Sequence, residues 1–289
     1  PQFEKDVYAA DQRINDYGIL ADLELAHAAQ DMDEEYKARL TEKAEKDFGL
    51  SSLKSMPQLK GFIKERTGVV IDSLDKTNIE GVIKTTASLK NVTDEDKQAV
   101  LDVIDLRREI GKTSNAKYTA ILASAGRGNR IRGLFRYYGA SRTGRWAGRL
   151  VQLQNLPQNH IEDLDGAREL AKMHDLDMME VIYDKPTHIL SQLIRTAFIA
   201  PEGYTFSVAD FSAIEARVIA WVANEQWRLD LFNDPKADIY CASASKMFGV
   251  PVHKGDDLRQ RGKVAELALG YGGGVNALTT MDTKKALKD

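Results

Sequence analysis

The sequence predicts a mostly helical α+β protein whose strands are few and local. Three observations carry this. Residues 1–112 and 162–196 are rich in Glu, Lys, Asp, Ala and Leu, with apolar residues at helical spacings. The segment between them holds Gly126, Gly128, Gly133, Gly139, Gly144 and Gly148, a punctuation that suits turns and short strands. One strand-like stretch, Tyr204-Thr-Phe-Ser-Val-Ala209, then stands ahead of a further series of helical stretches.

The first helix to stand out covers Ala21 to Lys46, with Leu23, Ala26, Ala29, Met32 and Tyr36 on one face. Met56-Pro57 and Thr67-Gly68 read as turns. A second helix is expected over Asp94–Ile110, opened by Thr93-Asp94-Glu95. Residues 113–161 are assigned to turns and short strands, and 162–196 to acidic helices broken at Lys185-Pro186. Pro201-Glu-Gly203 turns the chain into a strand over Tyr204–Ala209. Helices follow over Ser212–Ala223, Ile239–Phe248 and Asp256–Tyr271, the last ending at Gly272-Gly273-Gly274.

With 289 residues, 43% hydrophobic and 29% charged, the chain has globular composition and room for about two domains. No apolar run approaches the ~18 residues needed to cross a bilayer, so no membrane partner is expected. A single cysteine, Cys241, excludes an internal disulfide and a Cys-based zinc site, and suits a reducing, cytoplasmic setting. The chain starts at Pro1 without a signal pattern, and its tail from Met281 to Asp289 carries no sign of a domain end. It is expected to be an internal piece of a longer protein.

Charge is segregated. Residues 110–161 hold nine Lys and Arg and no Asp or Glu, while the rest carries 31 basic against 43 acidic residues. Seven of the nine are arginine, which suits bidentate contact with phosphate. Tyr118, Phe135, Tyr137, Tyr138 and Trp146 interleave with them. Such a stripe on an acidic molecule points to a polyanion. The plainer alternative is a solvated basic loop.

Three constellations could carry chemistry. In Asp210-Phe-Ser-Ala-Ile-Glu215, a carboxylate ends an apolar strand and a helix follows at once. A strand-end carboxylate is a rigid oxygen ligand for Mg²⁺. The same residues also allow a cap at Asp210 and a capping box of Ser212 with Glu215. In the second, Arg259, Lys263, Leu267 and Tyr271 recur every four residues along one helix face. Arg259 and Lys263 stand one turn apart, a separation that can grip neighbouring phosphates, or else form a solvated positive edge. The third joins Thr143-Gly-Arg145 to Leu153-Gln154-Asn155-Leu-Pro157 within the basic segment, where Arg, Gln and Asn can donate to bases and phosphates. Asp22-Leu-Glu24 has the spacing of a metal-binding carboxylate pair, but reads better as the acidic first turn of a helix.

Taken in order, these motifs resemble family A DNA polymerases, particularly those of bacteriophages. Asp210-Phe-Ser-Ala-Ile-Glu-Ala-Arg217 is similar to the family's motif A, and Arg259-Gln-Arg-Gly-Lys263 through Tyr271-Gly272 to its motif B. Thr143-Gly-Arg145, Leu153–Pro157 and Arg195-x-x-Phe198-x-Ala-Pro201 resemble the elements ahead of motif A. The resemblance implies an incomplete right hand. Residues 1–117 would be a helical thumb, 118–220 the first part of an antiparallel palm, and 221–289 the start of helical fingers. It implies template-directed transfer of a dNTP to a primer 3′-hydroxyl with two Mg²⁺ ions, and primer–template DNA and dNTP as partners. Asp210 and the Phe211 carbonyl would hold metal. Arg259, Lys263 and Tyr240 would meet the triphosphate, Leu267 and Tyr271 would lie by the nascent pair, and Glu215 would fill the space of a ribose 2′-hydroxyl. Thr143, Arg145, Gln154 and Asn155, with Arg127, Arg130 and Arg132 of the basic segment, would track DNA.

Two positions depart from the family. Leu267 replaces an aromatic residue, and Tyr240 stands where many relatives have histidine. The family's later His-Asp-Glu motif does not occur within the 289 residues, so the second catalytic aspartate is expected downstream and this segment alone is expected to be inactive. The alternatives are a single-subunit RNA polymerase, against which Glu215 argues, and a non-catalytic DNA-binding module.

Overall fold

The computed structural model describes residues 1–75 and 78–281. The end of the expected fingers region, 282–289, lies outside the described residues. The chain divides into two compact units, Pro1–Phe206 and Ser207–Asp289.

The first unit is built on α2 (Leu23–Phe48). Asp22 caps it by accepting from the Leu25 amide at 3.1 Å, and Gly49 closes it in the left-handed region. Its face of Leu25, Ala26, Ala29 and Met32 is fully buried. Against it pack α5 (Asp94–Ile110) and α6 (Ala116–Ser124), with α3 (Met56–Thr67) and α4 (Ile79–Ser88) packed on α5, while α1 (Gln2–Tyr17) precedes α2 in the chain. They are joined by α7 (Leu164–Met173), α8 (Leu176–Tyr183) and α9 (Pro186–Leu193). The expected Asp94–Ile110 helix forms, with Thr93 Oγ1 accepting from the Asp96 amide at 3.1 Å. Tyr118 is fully buried on α6 and donates to the Leu190 carbonyl of α9 at 2.6 Å.

An antiparallel four-stranded sheet in the order β2-β3-β1-β6 crosses this unit, from β1 (Ile19–Ala21), β2 (Ala125–Gly126), β3 (Arg130–Ile131) and β6 (Phe198–Ile199). Separately, β4 (Phe135–Ala140) and β5 (Arg145–Gly148) form a hairpin with an irregular register between Arg136 and Ala140.

The second unit is helical: α10 (Ile214–Val222), α11 (Gln226–Asn233), α12 (Ile239–Phe248), α13 (Asp257–Gly270) and α14 (Val275–Met281). Its small core gathers Cys241, Ala244 and Val252.

Four readings of the sequence change. Met56-Pro57 and Thr67-Gly68 are the two ends of α3, because proline suits a first helical turn and Gly68 closes the last one. Residues 116–124 are helical, a stretch of Ala, Ile and Leu that the glycines downstream masked. Tyr204–Ala209 is not paired as a strand among the described residues, and Tyr204, Phe206 and Val208 lie exposed. The Ser212–Glu215 capping box does not form. Ala213, at φ 49°, precedes α10 in the left-handed region, which takes Ser212 out of register to cap it.

Candidate active site

Within the second unit, α12 begins at Asp238, whose Oδ1 accepts from the Tyr240 and Cys241 amides at 2.9 and 3.1 Å. Helix α13 lies closely against α12 because Gly262 is at their crossing. A Cβ there would run into the Tyr240 carbonyl oxygen and stand 3.0 Å from the Ala244 Cβ. Gly262, Val264, Ala265 and Ala268 are buried, which leaves the four-residue series from Arg259 to Tyr271 on the less buried side of α13.

Arg259 is held by Asp238. Its Nε and Nη2 donate to Asp238 Oδ2 at 3.0 and 2.8 Å, and its guanidinium lies 5.3 Å from the Tyr240 ring centroid. Burial pushes the Asp238 carboxyl up, but the Arg259 contact and the helix amides outweigh it and leave the group below the usual carboxylate range. Asp238 in turn raises Arg259. Lys263, one turn later, is partly exposed and makes no hydrogen bond or ion pair among the described residues.

The C-terminal half of α13 faces a cavity of about 500 Å³. Asp210, Phe211, Glu215, Tyr240, Leu267 and Tyr271 all line it, so six of the eight expected metal- and nucleotide-site residues come together. Arg259 and Lys263 are outside its lining. The Tyr271 hydroxyl donates to Glu215 Oε2, linking the end of α13 to the first turn of α10.

Sequence reading missed the polar back wall of this cavity. Arg228 of α11 meets Glu266 of α13 at 2.5 Å, and the Ser243 hydroxyl of α12 donates to the same carboxylate. Arg228 Nε also lies 2.5 Å from Glu225 Oε2, without the alignment of a hydrogen bond. Lys246 Nζ stands 4.0 Å from the Trp227 ring centroid. These residues follow no periodicity, and Arg228 and Glu266 are 38 positions apart, so no local signal joined them.

Asp210 is exposed at the cavity rim. Its carboxylate and the Phe211 carbonyl offer two oxygen donors, and no cluster of three metal-binding side chains occurs among the described residues. Mg²⁺ takes about six oxygens and keeps several waters, so these two donors fit one side of its shell.

In the first unit the basic residues divide. Arg130 donates to the Tyr17 and Gly18 carbonyls at 3.3 Å and lies 4.3 Å from the Tyr17 ring centroid. Arg132 donates to the Asp16 carbonyl at 2.9 Å. Both are thereby engaged at the end of α1, while Arg127 is exposed. Thr143 and Arg145 lie at the hairpin tip and on β5, and Gln154 and Asn155 follow on a single exposed 3₁₀ turn. Lys117 anchors that stretch by donating to the Val151 carbonyl at 2.7 Å, and Arg195 by donating to the Pro157 and Leu156 carbonyls at 2.7 and 2.9 Å. Asp22 is engaged within the fold. It caps α2 and pairs with Arg168 and Lys172 at 2.9 and 3.0 Å.

A family model described as DNA polymerase family A matches residues 23–285. The chain is 51% identical over 281 residues to the DNA polymerase of Bacillus phage SP02, covering 96% of this chain and 42% of that relative. It is 40% identical over 80 residues to DNA polymerase I of Pseudomonas aeruginosa, and 42% identical over 72 residues to the thermostable DNA polymerase I of Thermus aquaticus. These cover 27% and 25% of this chain, and 9% and 8% of the relatives. Among solved structures, the POL domain of Pol1 from M. smegmatis, in complex with DNA primer-template and dNTP, is similar in fold. The TM-score is 0.58 at 22% identity, covering 94% of this chain and 43% of that one.

Proposed function

The chain belongs to DNA polymerase family A, and from that premise we propose that it supplies the thumb, the first part of the palm and the start of the fingers of a template-directed DNA polymerase. The boundaries proposed are 1–117, 118–220 and 221–289. The observation that carries this reading is the single cavity in which Asp210, Phe211, Glu215, Tyr240, Leu267 and Tyr271 converge from separate segments of the second unit.

In this reading Asp210 and the Phe211 carbonyl face divalent metal at the primer terminus. Magnesium ions, when bound, lower the pKa of the 3′-hydroxyl and offset charge on the leaving phosphates. Arg259 and Lys263 take the triphosphate, and their charge is matched to the pyrophosphate that departs. Asp238 keeps the Arg259 guanidinium fixed over Tyr240, whose phenol can donate a hydrogen bond to phosphate. Tyr271 steadies Glu215, and the carboxylate takes up the room that a ribose 2′-hydroxyl would need. Thr143, Arg145, Gln154 and Asn155 contact the primer–template, as does Arg127. The place of action proposed is the cytoplasm of a bacterial host.

The test is primer extension by the complete polymerase that carries this segment. Asp210→Ala should abolish extension while leaving the folded state and DNA binding in place. Extension at the wild-type rate by that variant would overturn the assignment.

A further inference from the structure

The β4–β5 hairpin is two-faced. Trp146 and Tyr137 point to α1, where the Trp146 indole donates to buried Asp11 at 2.7 Å, the Tyr137 hydroxyl donates to Glu4, and the Tyr8 and Tyr137 rings meet edge-on at 5.6 Å. Alternation then sends their neighbours to the other side. Arg136 pairs in register with Ala147, and Arg149 is two residues further along, so Arg136, Ala147 and Arg149 share the outward face. The Arg149 amide continues the ladder to the Leu134 carbonyl at 2.8 Å.

On that face a notch of about 470 Å³ is lined by Arg136, Gly139, Ala147, Gly148 and Arg149. Its lining includes no carboxylate, and neither guanidinium has a hydrogen bond or ion pair among the described residues. The floor is low for a steric reason. A Cβ on Gly139 would strike Ala147, and one on Gly148 would strike the Gln154 side chain. Two unneutralised arginines over a flat floor suit an anionic chain that must approach the backbone closely.

We propose that Arg136 and Arg149 form a phosphate clamp that takes the sugar–phosphate backbone of a nucleic-acid duplex on the outward face of this hairpin. The inference rests on the nucleic-acid reading above and adds two contacts to it.

The experiment is fluorescence anisotropy of the 1–289 chain with a labelled primer–template over a range of salt concentrations. Arg136→Gln/Arg149→Gln should weaken binding equally on unrelated duplex sequences and reduce the log–log salt slope by about 1.8, at about 0.9 per lost phosphate contact. The lysine double variant should keep most of the slope, because it keeps the charge. Circular dichroism matching the wild type confirms that each variant folds. A wild-type slope in the glutamine variant, with binding intact, overturns the clamp and leaves the nucleic-acid reading standing. Binding lost to millimolar pyrophosphate before duplex competitor would assign the notch to free polyphosphate and also overturn it. Absence of salt-dependent binding by the wild-type chain would remove both readings together.

Discussion

At the scale of single residues, the contact between Tyr271 and Glu215 changes how the sugar gate is tested. With the capping box absent, Ser212 contributes nothing as a cap, so Ser212→Ala should leave both stability and sugar preference within about 0.5 kcal/mol of wild type. Glu215→Ala in the complete polymerase should raise rNTP over dNTP incorporation by roughly 10-fold or more, the scale of a single-group difference in a pocket. Tyr271→Phe removes the hydroxyl that steadies Glu215 and should shift the same kcat/KM ratio in the same direction by less. An unchanged ratio in Glu215→Ala would refute the gate. Asp238 offers a second residue test. Asparagine caps helices as well as aspartate does, so Asp238→Asn keeps the start of α12 while loosening Arg259. Reordering a long side chain costs about 0.5–1.5 kcal/mol, so KM for dNTP should rise roughly 2- to 10-fold with kcat little changed. A fall in KM would mean that Asp238 competes with phosphate for the guanidinium.

At the scale of elements, the crossing of α12 and α13 depends on the missing side chain of Gly262. Gly262→Val should push the helices apart and cost about 1–3 kcal/mol, read as a lowered Tm. A Tm equal to wild type would show that the crossing is looser than described. The start of α2 gives a pH test. Burial raises Asp22, but the Leu25 amide, Lys172 and Arg168 outweigh it and hold the carboxyl below its ordinary value. A carboxyl whose folded pKa is depressed adds stability above its unfolded value of about 3.9 and loses it as pH falls through the folded value. Asp22→Asn should therefore flatten the acid limb of the Tm–pH curve, with the loss of stability full above about pH 4 and fading as pH falls through the folded value. An acid limb as steep as wild type would assign the effect to other carboxylates. These elements also show what the sequence made legible. Asp94–Ile110 and Ile239–Phe248 form as expected, because a capping residue and an apolar period coincide at each. Residues 204–209 have the composition of a strand, but pairing requires a neighbour, which composition cannot supply. Motif residues at fixed spacing could be listed in advance, whereas the Arg228–Glu266–Ser243 wall depends on how three helices pack.

At the scale of the whole molecule, the two units are joined in sequence through an exposed stretch. Residues 204–211 are all exposed and lie outside helix and sheet, up to a turn at Ser212 and Ala213. Val208 is 91% exposed, Phe211 79% and Tyr204 73%. Proteases cut where backbone is accessible and free of cooperative hydrogen bonds. Chymotrypsin, which cleaves after large aromatic residues, has Tyr204, Phe206 and Phe211 within eight positions there. The competing aromatic sites differ in kind. Tyr118 is fully buried and Phe62 nearly so, exposed Tyr8, Tyr17 and Trp221 sit within helices, exposed Tyr138 lies on the paired strand β4, and exposed Tyr271 is tied by its hydroxyl to Glu215. Brief digestion of the 1–289 chain should therefore cut first within 204–211 and release a stable product ending at Tyr204 or Phe206, identified by mass. The first unit has its own extensive core, so that product should keep a cooperative thermal transition. First cleavage within α2 to α6 would show that the helical core opens more readily than the exposed segment. A released first unit without a cooperative transition would show that its core needs residues beyond Phe206 to hold.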